Sequence, residues 1–178
     1  MDKLFLGIDQ SFTSSGICVV NEQGSIVFHE TINTTDADGD IFDRALKIAQ
    51  HIIALLMRFQ PMRVGLEGLA FSKFGNATRD LAGLQFVLVT SIREHRKRYS
   101  NDLVIVSPNL LKKFATKSGS ADKDKMYEAV PEDVKTVFSG YKKTKGRSDV
   151  VDAYWLAKYA LDIYNKDQTS YSDTPKTD

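Results

Sequence analysis

Four acids carry the first hint of chemistry: Asp9, Glu67, Asp149 and Asp152. Asp9 closes the apolar run LFLGID, and Glu67 closes MRVGLE. If those two runs are parallel neighbouring strands, both carboxylates meet at one sheet edge, where open α/β sheets place their sites. Asp149 and Asp152 stand three apart at the start of a helical pattern, so they share one face of its first turn. Taken singly, Asp9 reads as a turn residue and Asp149 as a helix-start acid worth about 0.3–1 kcal/mol. Glu67 resists that reading, because an acid ending an apolar strand risks burial without a partner. Taken together, four close carboxylates repel and are costly to keep ionised. A divalent cation relieves that cost, and Mg²⁺ prefers carboxylate and water oxygens. Two such ions about 3.5–4 Å apart activate a water and stabilise the leaving oxygen of a phosphodiester. Asp-Glu-Asp-Asp is therefore the inventory of two-metal phosphodiester hydrolysis.

The turn after Asp9 leaves a second reading open. GIDQSFTSSG is rich in hydroxyls and ends on Gly16, as do turns that wrap a nucleotide phosphate in sugar kinases and related ATPases. Those enzymes need two such domains and a second D-x-G-[ST] turn, and the chain supplies neither.

The positioning elements follow from periodicity. Leu4 to Asp9 predicts a buried strand, and Gly16 to Val20 a second. Asn21 to Gly24 predicts a turn, and Ser25 to Ile32 a third, alternating strand. Short loops between them imply an antiparallel meander. From Ile41 the period changes: Phe42, Ala45, Leu46, Ala49, Ile52, Ile53 and Leu56 fall at helical spacing up to Phe59, before Pro61. Met62 to Glu67 predicts a fourth strand. A helix over 77–98 is expected to turn Leu81, Leu84, Phe86, Leu88 and Ile92 inward. Leu103 to Val106 predicts a fifth strand. Ser107-Pro108 has the signature of a helix start, and Ser120 to Lys123 begins another helix. Gly140 to Ser148 (GYKKTKGRS) reads as a basic loop, followed by a last helix carrying Val151, Leu156, Tyr159, Ala160 and Ile163. The order β-β-β-α-β-α-β-α…α predicts a five-stranded mixed sheet with helices on both faces, the ribonuclease H-like arrangement. One domain is expected over 1–165, with a polar, disordered tail over 166–178.

Composition sets the limits. With 178 residues, 42% hydrophobic and 26% charged, the chain suits one soluble domain. No apolar stretch reaches the roughly 18–20 residues of a membrane span, and the N-terminus lacks a signal-peptide pattern. A single cysteine, Cys18, fits a reducing compartment and packs most simply in a strand. A cytoplasmic location is expected, that of the host if a phage encodes the chain. Net charge is +1 but uneven. Residues 1–90 carry 7 basic and 10 acidic groups, and residues 91–165 carry 15 and 10. The basic second half permits a polyanionic partner. His29, His51 and His95 show no metal-ligand spacing and read as structural or surface residues.

Four blocks, in order, resemble the RuvC family of Holliday junction resolvases. The first is G-I-D with its small-polar turn and Gly16. The second is Leu66-Glu67 followed by LAFSKFGNAT. The third is LKKFATKSGSADK at 111–123, with Gly-Ser-Ala-Asp-Lys at its end. The fourth is SDVVDAYWLA at 148–157, which carries D-x-x-D-A. The resemblance implies a ribonuclease H-like homodimer whose subunits each use four acids and two ions, Mg²⁺ or Mn²⁺, to nick four-way junctions symmetrically. By motif the acids are Asp9, Glu67, Asp149 and Asp152. Lys112 and Lys123 fall on the family's functional basic positions, where phosphate contact or charge stabilisation is expected. The same stretch offers Lys113 and Lys117 as DNA contacts. The loop residues Lys142, Lys143, Lys145 and Arg147 are further candidates for backbone phosphates.

The chain also departs from the family. Pro-Gly usually follows the first acid, where this chain has Gln10-Ser11. The aromatic expected three residues after the second acid falls on Ala70, leaving Phe71 or Phe74 to act as the wedge that unstacks bases. These differences suggest a divergent, phage-type member. They also admit a relative that cuts flaps, other branched DNA or structured RNA. A junction-binding protein without catalysis fits less well, because all four acids are intact. Neither the preferred cut site nor the partner that moves the junction is written in these residues.

Overall fold

The alternation of side chains along the first strand decides which side of the sheet the chemistry faces. In the computed structural model, which describes residues 2–69, 76–95, 102–143 and 146–172, β1 spans Leu4–Asp9. Leu6 and Ile8 enter one core, and Phe5 enters the other. Gly7 and Asp9 share the parity of Phe5 and therefore its face. β4 (Arg63–Glu67) repeats the pattern: Val64 and Leu66 point to the first core, leaving Gly65 and Glu67 on the face of Asp9.

The sheet order is β3-β2-β1-β4-β5, with β2 at Ser14–Asn21, β3 at Ile26–Asn33 and β5 at Leu103–Val106. β1, β2 and β3 form the expected antiparallel meander, and β1–β4 and β4–β5 are parallel. Ile8 is paired with Leu66, so Asp9 and Glu67 finish level at the same edge.

Helices cover both faces. α1 (Ile41–Phe59) and α2 (Asn76–His95) pack on the side of Leu6 and Ile8. α3 (Pro108–Thr116), α4 (Lys123–Glu128), α5 (Glu132–Phe138) and α6 (Arg147–Ser172) cover the side of Phe5 and Asp9. Local chemistry starts them: Asp40 accepts from the Phe42 and Asp43 amides, Ser107 from Leu110, and Asp122 from Lys125. Among the described residues no helix is long and apolar enough to cross a membrane.

Three expectations change. Phe86 is 74% exposed, not inward, because it lies two residues, or about 200°, from the buried Leu84. In α1 the buried stripe is Ala45, Ile48, Ala49, Ile52, Leu55 and Leu56, while Phe42 and Leu46 face solvent. The last helix does not stop near 165 but continues to Ser172. It is tied there by Asp167, which accepts from the Arg63 guanidinium across the sheet face. The final residues, 173–178, lie outside those described. α5 had no counterpart in the sequence reading.

α6 lies directly on the strands. A Cβ added to Gly7 would sit 1.9 Å from the Ala153 carbonyl oxygen, and one on Gly65 would sit 2.4 Å from that of Leu156. The two glycines are register partners, so they form a bare strip for the helix backbone. Gly7→Ala is therefore expected to destabilise by about 3 kcal/mol, since rigid backbone must move. Gly83→Ala, in open space on α2, is expected to stabilise by about 0.5–1 kcal/mol. Urea midpoints of the two variants check the contrast.

Candidate active site

The same close approach brings the second pair of acids to the first. A Cβ on Gly16 would stand 2.0 Å from the Asp149 carbonyl oxygen, so the start of α6 rests on β2 beside Asp9, the register partner of Gly16. A cavity of about 510 Å³ opens there. Asp9, Glu67, Asp149 and Asp152 all line it, and Lys112 from α3 and Lys123 from α4 share it. The four acids and two lysines singled out in the sequence are thus brought to one place.

The electrostatics are those of crowded carboxylates. Asp9 is held well above the usual carboxylate range, first by burial and then by the charges of Glu67 and Asp152. A hydrogen bond with Glu67 raises Asp9 further and lowers Glu67. Burial still leaves Glu67 raised overall, although the Lys112 and Lys123 ammonium groups pull it down. Asp152 is pushed up to about 7 by burial and the Glu67 charge, against the pull of Lys123. Asp149 is oriented by two hydroxyls: Ser14 donates to Oδ2 at 2.6 Å and Ser148 to Oδ1 at 3.0 Å.

This donor set fits a hard divalent cation. Burial and mutual repulsion disfavour the charged forms of Asp9 and Asp152, and a divalent cation would offset both. Among the described residues no three acids or imidazoles close into a ready-made cage. Mg²⁺ asks for none, since it keeps waters and takes the rest of its shell from one or two carboxylates and substrate phosphate.

Several contributors escaped the sequence reading. Ser11, Thr13 and Ser14 line the cavity, which gives the hydroxyl-rich turn a role beside the acids. Gln10 is buried, and its Nε2 donates to the Glu67 carbonyl at 2.8 Å and to Gln85 Oε1 at 2.9 Å. Only a hydroxyl at Ser14's parity with Gly16 signalled its direction, and nothing local signalled Gln85.

Among the described residues, the other sequence candidates lie outside this cavity. Lys113 and Lys117 are exposed and do not line the cavity. Lys142 and Lys143 are exposed, and Lys143 pairs with Asp124 at 2.8 Å. Arg147 lies over the Tyr127 ring at 4.3 Å. Phe71, Phe74 and Lys145 lie outside the described residues. His29 packs on Phe138 and meets the Tyr141 hydroxyl at 3.0 Å, and His51 pairs with Glu30, so both serve structure.

Comparison with known proteins gives consistent matches. The family model for the crossover junction endodeoxyribonuclease RuvC matches residues 5–157. A RuvC crossover junction endodeoxyribonuclease of Orientia tsutsugamushi (strain Ikeda) is 28% identical over 130 residues, which is 71% of this chain and 79% of that protein. The structure of Thermus thermophilus RuvC superimposes with a TM-score of 0.70 at 17% identity, over 93% of this chain and 96% of its own. T. thermophilus RuvC in complex with a Holliday junction substrate gives the same score at the same identity, over 94% and 97%. The yeast mitochondrial Holliday junction resolvase follows with a TM-score of 0.63 at 16% identity, over 93% and 83%. At these identities the solved structures carry the fold, which is the ribonuclease H-like one.

The raised acids set the pH dependence of the metal-free protein. Folded Asp152 binds its proton up to about pH 7, whereas unfolded Asp releases it near 3.8. The folded state therefore holds more protons between those values. Stability contributed by this group falls as pH rises through that window and is flat above it. In EDTA, Asp152→Asn is expected to raise the melting temperature at pH 8 by roughly 5 °C or more and to change little at pH 4. Thermal melts of variant and wild type at the two pH values check this.

Proposed function

Because the chain belongs to the RuvC family of crossover junction endodeoxyribonucleases, we propose that it resolves four-way DNA junctions by paired, symmetric nicks. The observation that carries this reading is the meeting of four carboxylates from β1, β4 and α6 with two lysines in one cavity. We assign Asp9, Glu67, Asp149 and Asp152 as ligands of two divalent ions, Mg²⁺ or Mn²⁺. When bound, the ions supply the positive charge that eases formation of the nucleophile and departure of the leaving oxygen.

The chain's own groups do the rest. Asp9, which lines the cavity with Glu67, Asp149 and Asp152, would hold the ions as a carboxylate. Ser14 and Ser148 hold Asp149 in a single orientation. Lys123 and Lys112 stand where a scissile phosphate enters, and their ammonium groups offset its charge as it grows in the transition state. The exposed lysines Lys142 and Lys143, with Lys145, take backbone phosphates of the same arm.

Symmetric cutting needs two such sites facing one junction, so a homodimer is part of the proposal. α1 and α2 each leave a large apolar side chain in solvent, with Phe42 79% and Phe86 74% exposed, which suits a self-association surface. The same chemistry on flaps, other branched DNA or structured RNA remains the competing substrate range. A cytoplasmic location is proposed with the function.

Asp152→Asn is expected to lower nicking by about a thousandfold or more while junction binding persists. The assay is cleavage of a mobile four-way junction beside flap, Y-shaped and duplex controls. Paired nicks confined to the junction support the resolvase. Equal cutting of the flap transfers the reading to a general structure-selective nuclease, and full activity of the variant removes the ligand assignment. Neutralising Lys142, Lys143 and Lys145 together is expected to weaken junction binding and to flatten its dependence on salt. The slope of log K against log salt falls by up to about 0.9 for each phosphate no longer neutralised, and an unchanged slope means the loop touches none.

A further inference from the structure

We propose that a second cavity, walled by Lys123, Lys143, Arg147 and Tyr127, seats the phosphodiester group next to the scissile one on the cleaved strand, with Arg147 as its anchor. The inference rests on the reading of the carboxylate cavity as the cutting site.

The second cavity has a volume of about 390 Å³ and adjoins the first through a shared wall. Lys123 lines both. Its Nζ donates to Ser148 Oγ at 3.1 Å, and Ser148 donates to Asp149 at 3.0 Å. A strand whose phosphate lies on Lys123 at the carboxylates thus reaches the second cavity with its next unit.

Charge selects an anion there. Two acids also line the cavity, but both are engaged. Asp122 accepts from the Lys125 amide at 2.8 Å as the cap of α4, and Asp124 pairs with Lys143 at 2.8 Å. Arg147 acts on Asp124 through its charge but is hydrogen-bonded to neither acid. It is partly buried and lies over the Tyr127 ring at 4.3 Å. Among the described residues it makes no hydrogen bond or ion pair with a protein acceptor. A guanidinium seated on a ring is fixed in place, yet it presents all five N–H donors at its rim. Those donors match the oxygens of a phosphodiester in a fork geometry that lysine lacks. Because Arg147 already covers the Tyr127 ring, that face offers no bare platform for a base. The ligand is therefore the sugar-phosphate backbone, and Tyr127 is a positioning residue for Arg147.

The test pairs Arg147 variants with junctions in which one phosphate at a time is replaced by a neutral methylphosphonate. Binding is measured in EDTA, so that no strand is cut. For the wild type, neutralising the phosphate adjacent to the cut is expected to weaken binding about tenfold. Arg147→Ala is expected to lose about the same on unmodified DNA, to become indifferent to that phosphate, and to keep its sensitivity at the others. Arg147→Lys, which keeps charge without the fork, should fall between. Tyr127→Leu should mimic a part of the loss, and Tyr127→Phe should restore it. An Arg147→Ala variant that retains the full phosphate profile overturns the subsite, even if its affinity drops. A wild type that neither binds nor cuts the junction overturns the functional reading as well, so the two failures are distinct.

Discussion

The contact on which the rest of the structure depends is that of the α6 backbone with the bare strip of the sheet. Gly7 and Gly65, side by side on β1 and β4, let the helix lie on the strands without intervening side chains. Gly16 does the same for the first turn, against the Asp149 carbonyl. Ordinary helix-on-sheet packing keeps the two layers about 10 Å apart through their side chains. Here the layers meet at backbone distance, and the acids on the helix come level with the acids at the strand ends. A methyl group at any of the three positions would act on the site as a wedge, because the helix has no flexible side chain there to yield.

That closeness has an electrostatic consequence. Four carboxylates gathered at one edge oppose folding of the metal-free chain, and burial with the neighbouring charges pushes Asp9 well above the usual carboxylate range. The lysines of α3 and α4 offset part of the repulsion felt by Glu67 and Asp152. They do so from helices that are short and capped by their own polar side chains, Ser107 and Asp122. The site thus gives up stability in its metal-free state to keep a strong demand for positive charge, the property a phosphodiesterase needs at the moment of reaction.

The acids and the strands were legible because both are written locally. An apolar run that ends on an acid marks a strand and its end, and parity assigns the face. The glycine strip was not legible, because Gly7, Gly16 and Gly65 read as ordinary strand glycines until the partner helix is known. Phe86 misled for a related reason: an apolar residue off the main stripe is indistinguishable from one on it when the pattern is loose. The length of α6 depended on Arg63, whose partner Asp167 is 104 residues away. Tyr127 was invisible as the seat of Arg147, since neither residue type nor spacing connects α4 to the start of α6.

The turn after Asp9 shows how a defined turn forms without the Pro-Gly that the resemblance led one to expect. Pro-Gly restricts the backbone directly, through the fixed φ of proline and the freedom of glycine. Gln10-Ser11 reaches a defined turn by side-chain hydrogen bonds instead. Ser15 Oγ donates to the Ser11 carbonyl at 2.6 Å and accepts from the Ser11 amide at 3.0 Å. Arg44 and Thr34 both donate to the Phe12 carbonyl. Gln10 reaches across to the Glu67 carbonyl and Gln85, so one amide ties the ends of β1 and β4 to α2. A turn held by proline would be rigid by itself. This turn is held by its own hydroxyls together with Thr34, α1, β4 and α2, so its shape is a property of several elements rather than of one dipeptide.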